Sequence, residues 1–346
     1  IDYCVYTPGA NRQSVTDFIA LHRRAMQLRI ACLTSLDTAG ALCDIIRSRF
    51  TEENTELVDL NHMRTQRRRL AFAKMEGTGN DYIYCENFDG SITCPESLAI
   101  SLTDRHRGVG GDGLVLMEKS DVADARMRIF NKDGSEGGMA GNSIRCVAKY
   151  LFDKGIVPRS EMTVETRSGV RRLHVRLMNG QVTSVTVDMG AASLHTADLP
   201  ALIPTETAVD YPLLVDDTEY RCTCCSVGNP HCVTFCGRVD DVDLRRVGPM
   251  FEHHPLFPER VNTEFVRAVN PKTLKMRVWE RGNGDTDCCG TGACAAVVAA
   301  TELGLCPKGE EITVKQKGGD LRVTYTDETV LLTGEARLVF EGTVVY

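Results

Sequence analysis

The 346-residue sequence has no apolar run long enough to cross a bilayer, no signal-peptide pattern at its start and a single tryptophan. A membrane helix needs about 20 consecutive apolar residues, so a helical span is excluded and no membrane partner is expected. A large charge excess of either sign is also missing. Forty Lys and Arg face 47 Asp and Glu, a net charge of −7. That balance argues against nucleic acid or an anionic surface as partner. The one basic run, RTQRRR at 64–69, reads as a solvated linker. Zinc-finger spacing is absent too. Cys222, Cys224 and Cys225 are crowded, Cys288 and Cys289 are adjacent, and Cys294 has no matching pair, so no metal is expected.

What is present begins with 15 cysteines. In a long chain without a secretory leader they read as free thiols in a reducing, cytoplasmic compartment, most of them small core residues. The length suggests two or three domains at roughly 150 residues each. The sequence starts at Ile1, which reads as a cut into something larger.

Residues 1–62 alternate short apolar stretches with helical spacing. Strands are expected at 1–6, 29–33 and 56–60. A helix is expected through Val15, Phe18, Ile19, His22, Ala25 and Met26, and another from Asp37 or Thr38 to residue 50. This order suggests a parallel α/β unit. The pieces DYCVYTP, LHRRAMQ, CLTSLDTAGAL and NTELVDLNHM resemble about half of the methylglyoxal-synthase-like domain that ends the carbamoyl-phosphate synthetase large chain. That resemblance implies a partial flavodoxin-like segment, with Thr34, Ser35 and Thr38 as the remnant of an effector site. Under a gene-fusion reading, Met63 is a natural start.

After the linker the pattern is β-rich. Alternation marks 163–165, 171–177, 182–187, 311–316, 321–325 and 329–332, with turns at Ser168-Gly169 and Asn179-Gly180. Two helices, 144–152 and 293–303, each follow a glycine-rich turn. Those two turns repeat one another: GMAGNSIRC at 138–146 and DCCGTGACA at 287–295. Placing Gly141 on Gly290 pairs Asn142 with Thr291 and Ala140 with Cys289.

A helix N-terminus presents unpaired N–H groups and partial positive charge, and small residues there let a carboxylate approach. Two such starts facing each other would grip one α-carboxylate. A thiol at that place is expected to have its pKa lowered from about 8.5. A thiolate base plus preorganised N–H donors suits proton removal next to a carboxylate. Inversion needs a base on one face of the carbon and an acid on the other, and two thiols would supply both.

Six ordered blocks, FAKMEGTGNDYIY (72–84), DRHRGVGGDGLVL (104–116), RIFNKDGSEGGMAGNSIRC (128–146), VGNPHCVTF (227–235), RVNTEFV (260–266) and MRVWERGNGDTDCCGTGACAA (276–296), resemble the diaminopimelate epimerases across 71–346. The fold implied is α+β: two pseudo-symmetric β-barrel-like domains, 71–190 and 191–335, each around a central helix, with a final strand at 336–346 returning to the first. The activity implied is two-base epimerisation of LL- to meso-diaminopimelate, with no cofactor, in lysine and cell-wall precursor biosynthesis. The resemblance permits a homodimer.

It makes Cys289 one proton-transfer thiol. It puts Gly141, Asn142, Gly290 and Thr291 around the α-carboxylate, and Asn80, Asn131, Asn229, Asn262, Glu280 and Arg281 around the distal amino-acid end. His231 would orient neighbours. Asp112 and Asp133 read as turn residues. The family's other thiol falls at Ala140, whose methyl group carries no proton to transfer. Cys146 and Cys288 are expected to point elsewhere, and Ser143 is a poor base. Two alternatives compete with a crippled epimerase: a racemase of another amino acid such as proline, hydroxyproline or histidine, and a binding protein without catalysis.

Overall fold

The computed structural model describes residues 3–5, 12–33, 36–47, 69–138 and 141–345. They fall in two compact units, 1–67 and 68–346. In the first, β1 (Tyr3–Val5) and β2 (Ala31–Leu33) pair in parallel, with Cys4 opposite Cys32. Parallel strands need a crossover, and α1 (Arg12–Gln27) provides it. Arg29, at φ 56, turns the chain into β2, so that strand starts two residues later than expected. α2 (Leu36–Arg47) follows. The strand expected at 56–60, and Thr34 and Ser35, lie outside the described residues.

The second unit repeats one strand-and-helix series. Its first run is β3 (Arg69–Gly77), β4 (Asn80–Glu86), α3 (Pro95–Thr103), β5 (Gly113–Glu118), β6 (Ala125–Asn131), β7 (Glu136–Gly137), α4 (Gly141–Asp153), β8 (Glu161–Thr166), β9 (Gly169–Met178) and β10 (Gln181–Asp188). After β11 (Tyr211–Val215) comes the second run: β12 (Thr218–Ser226), β13 (Pro230–Phe235), α5 (Leu244–Glu252), β14 (Asn262–Asn270), β15 (Thr273–Glu280), β16 (Gly284–Thr286), α6 (Gly290–Glu302), β17 (Glu311–Gln316), β18 (Gly319–Tyr325) and β19 (Val330–Gly334).

The pairing is the same in both. β3–β4 is antiparallel, β4–β5 parallel, β5–β6 and β6–β7 antiparallel, β6–β8 parallel, and β8–β9 and β9–β10 antiparallel. From β12–β13 to β18–β19 each step recurs with the same sense. An antiparallel β10–β19 ladder joins the runs, and β20 (Arg337–Val345) returns to pair antiparallel with β3.

This topology accounts for two helices that the sequence pattern did not announce. α3 and α5 are the crossovers of the parallel pairs β4–β5 and β13–β14. Each is nine residues long, too short for a strong periodic signal, and α5 carries Pro249 inside it. The hairpin between β9 and β10 turns at Asn179 and Gly180, φ 53 and 78, as an Asn-Gly pair favours. The preceding turn is at Arg167-Ser168 instead of Ser168-Gly169. Gly169, at φ 102, already opens β9.

α4 and α6 begin three residues before the expected starts, at the glycines themselves. α6 is largely buried from Gly290 to Ala300, where apart from Thr291 its residues are Ala, Val, Cys and Gly, small enough for strands to close around it. α4 buries Ile144, Cys146, Val147, Ala148 and Leu151 into the same apolar core. Full burial of each larger aliphatic chain contributes about 1.5–3 kcal/mol. The result is a mixed α/β unit with one large sheet system, and its two central helices share a core.

Candidate active site

The two glycine-led helix starts meet. A methyl group placed on Gly290 would lie 3.9 Å from Gly141 Cα and 3.5 Å from Asn142 Oδ1. The same addition at Gly141 or Gly290 would come within 3.2 or 3.1 Å of Leu332 Cδ2. Here glycine is required by close approach rather than by a special φ. The first turns of α4 and α6 therefore bring N–H groups of both helix starts into one small region, where an anion is favoured. Ala140 lies outside the described residues.

Cys289 is the N-cap of α6. Its Sγ accepts from the Gly292 amide at 3.3 Å and stands 3.5 Å from Thr291 Oγ1, while its own amide donates to Gln316 Oε1 at 2.9 Å. The expectation of a lowered pKa is overturned. The thiol is pushed well above its ordinary value, first by burial, then by the charges of Glu280 and Glu264. The Thr291 hydroxyl and Gly292 amide pull the other way and lose. Desolvation disfavours the charged form by more than two hydrogen bonds restore.

Cys288 faces away from Cys289, as expected, but not away from the helix starts. Cys289 has extended backbone, φ −127 and ψ 117, so adjacent side chains diverge. One thiol turns to α6, and the other reaches α4, where Cys288 Sγ lies 3.8 Å from Asn142 Nδ2. Burial pushes Cys288 up to about 11, with Arg145 and Asn142 opposing. Cys146 is wholly buried on the core side of α4, as expected.

Behind each helix start runs a hydrogen-bonded relay. The two are related by the repeat. In the second run, Asn229 follows Gly228 at φ 97 and donates to Thr291 Oγ1 at 3.3 Å. Its Oδ1 pairs with His231 Nε2 at 3.0 Å, and His231 Nδ1 with Glu264 Oε1 at 2.7 Å. His231 and Glu264 are completely buried. Burial raises the Glu264 pKa although His231 opposes it.

In the first run, Asn80 follows Gly79 at φ 89 and accepts from Asn142 Nδ2 at 2.5 Å. Asn142 Oδ1 accepts from Arg145 Nη1 at 3.0 Å, and Asn80 Nδ2 points at Asp112 Oδ2, 3.5 Å away. Asp112 is held by Arg105 and Lys132, each at 3.2 Å, and Asp133 accepts from the Ser135 amide at 2.9 Å, so both carboxylates brace loops as read.

The remaining candidates cluster at strand ends. Asn262 opens β14, donates to Pro230 O at 2.9 Å and accepts from the Arg281 amide at 2.9 Å. The Arg281 side chain is tied to Glu259 O at 3.0 Å. Glu280 ends β15 and accepts from Thr286 Oγ1 at 2.5 Å. Asn131 ends β6, the equivalent strand of the first run, and donates to Ser135 Oγ at 3.0 Å. Sequence reasoning missed Arg145 and Glu264, because neither residue type is expected to be fully buried.

The family description "Diaminopimelate epimerase" matches residues 72–195 and 223–339. A diaminopimelate epimerase of Desulfovibrio desulfuricans is 47% identical over 283 residues, covering 79% of this chain and 97% of that one. One of Acetivibrio thermocellus is 46% identical over 277 residues, covering 80% and 98%. The chain belongs to the diaminopimelate epimerase family. Its members are isomerases. All these matches leave residues 1–71 largely aside, so none supports the carbamoyl-phosphate synthetase resemblance of 1–62.

The epimerase fold is shared more widely. A probable proline racemase of Agrobacterium radiobacter superposes with a TM-score of 0.59 at 15% identity, covering 80% of this chain and 92% of that one. A hydroxyproline epimerase of Agrobacterium vitis gives 0.58 at 18%, covering 81% and 93%. A PhzF-family protein of Bacillus anthracis gives 0.57 at 16%, covering 81% and 100%. At such identities the likeness speaks for fold alone.

Proposed function

We propose that this chain binds diaminopimelate between the starts of α4 and α6, and that Cys289 moves the proton at its α-carbon from one face only. The observation that carries the reading is the opposition of Gly141 and Gly290, 3.9 Å from a Cβ on one to the Cα of the other. Two converging rows of N–H donors suit a carboxylate and the negative charge that develops beside it. The Cys289 thiol first releases its own proton to solvent; the thiolate then takes the α-proton, the C–H bond breaks, and the electron pair spreads into the carboxylate. Inversion then needs a proton from the opposite face. Ala140 has none to give, and loss of a positioned acid costs about 10²–10⁴-fold.

Arg281 and Glu280 supply a cation and an anion for a second carboxylate and ammonium, and Asn80, Asn131, Asn229 and Asn262 supply amides. This favours a substrate with two amino-acid ends over proline, hydroxyproline or histidine. The LL to meso reaction of lysine and cell-wall precursor synthesis fits that requirement. The two matching strand runs support a division at 71–190 and 191–335, with 336–346 returning to the first.

In deuterated buffer, one isomer of diaminopimelate should gain one mass unit without inverting. Deuterium uptake by neither isomer removes Cys289 from its role; tight calorimetric binding without exchange makes the chain a binding protein. Titration with proline and hydroxyproline tests the racemase reading.

A further inference from the structure

We infer that Arg145 is a positioning residue for the site: through Asn142 it fixes the amide orientation of Asn80. This rests on the reading of the site given above. Arg145 is the largest fully buried side chain among the described residues. Among the described residues no carboxylate forms an ion pair with it. Its guanidinium donates instead to Gly141 O at 3.1 Å, Asn142 Oδ1 at 3.0 Å, Thr78 Oγ1 at 2.7 Å and Glu335 O at 3.3 Å. A buried cation without an anion is costly, and its fixed donors are what it offers in return.

The polarity of the relay follows from its two ends. Arginine only donates, so the Asn142 atom beside it is the carbonyl oxygen. The Asn142 NH₂ group then faces Asn80, whose facing atom must accept. That turns the Asn80 NH₂ group to Asp112, a carboxylate that only accepts. Cation and anion agree on one direction, Arg145 to Asn142 to Asn80 to Asp112. Either amide flipped would set donor against donor or acceptor against acceptor. Asn80 therefore presents one amide face to a substrate. Asn142, bonded to both Arg145 and Asn80, is held in place in the first turn of α4.

The test is a double-mutant cycle in the full-length chain, with the dissociation constant for meso-diaminopimelate read by calorimetry. Arg145→Met and Asn80→Ala should each weaken binding about tenfold. Together they should also cost about tenfold, because both remove the same oriented amide. Independent losses that multiply to about a hundredfold overturn the inference. Should Arg145→Met fail to fold, Asn142→Ala cuts the relay with the cation left in place and enters the same cycle. A parent chain that does not bind diaminopimelate sinks the proposed function, not the relay. The relay is then read without ligand, from the Asn80 side-chain amide signals in ¹⁵N spectra. They should shift in Asn142→Ala, and unmoved signals overturn it.

Discussion

The starts of α4 and α6 are copies in backbone and opposites in chemistry. Both begin at a glycine, both sit behind a Gly-Asn turn at positive φ, and both have a first-turn side chain bonded to that asparagine. In the α4 copy the helix residue, Asn142, donates to Asn80. In the α6 copy the asparagine, Asn229, donates to Thr291. What lies behind the two differs: a buried guanidinium in one case, a buried His–Glu pair in the other. The second arrangement reaches the sulfur. Thr291 Oγ1, accepting from Asn229, also stands 3.5 Å from Cys289 Sγ, so the hydroxyl links the relay to the sulfur. Repeating a backbone thus repeats where charge is held, while the residues behind it are free to differ.

The comparison breaks most sharply if the α4 copy is given its own thiol. Ala140→Cys should restore inversion by about 10²–10⁴-fold, measured by chiral chromatography of the product. No gain would mean that position 140 is not the limiting one. Next in size is stability at alkaline pH. Burial raises Cys85 to about 12, Cys146 to about 11, Cys288 to about 11 and Cys294 to about 12. The unfolded chain loses these protons from about pH 8.5 while the folded chain keeps them, so stability is full at pH 7 and falls as pH rises. Each thiol contributes about 1.4 kcal/mol per pH unit in that window. Urea midpoints between pH 8 and 10 should fall steeply, and less so in Cys294→Ala.

Gly290→Ala sharpens the geometric half of the comparison. The added carbon meets Leu332 at 3.1 Å, so about 1–3 kcal/mol should be lost in urea unfolding and diaminopimelate should bind more weakly. An unchanged midpoint would show that the helix starts have room to spare. The smallest effect belongs to the first unit. Deleting residues 1–62 should leave the unfolding free energy of the remainder, read by urea unfolding, unchanged to within about 0.5 kcal/mol.

The glycines, the paired turns and the Asn179-Gly180 hairpin were readable because each imposes a local backbone requirement that few residues meet. The short crossovers α3 and α5 were not, since a parallel strand pair demands them and no local periodicity does. Arg145 and Glu264 were hidden for a related reason. Their burial depends on partners far along the chain, such as Thr78 and Glu335 for Arg145 and Asn229 through His231 for Glu264. Cys288 faces away from Cys289, as adjacency implies, but that direction leads to the start of α4. In extended backbone, adjacency sends two thiols to two different helices.

The return of β20 to β3 places Val345 directly across from Arg69. The second unit therefore begins and finishes on neighbouring strands. Linking those ends and opening the chain at the Asn179-Gly180 turn would give a circularly permuted protein with every strand pair intact.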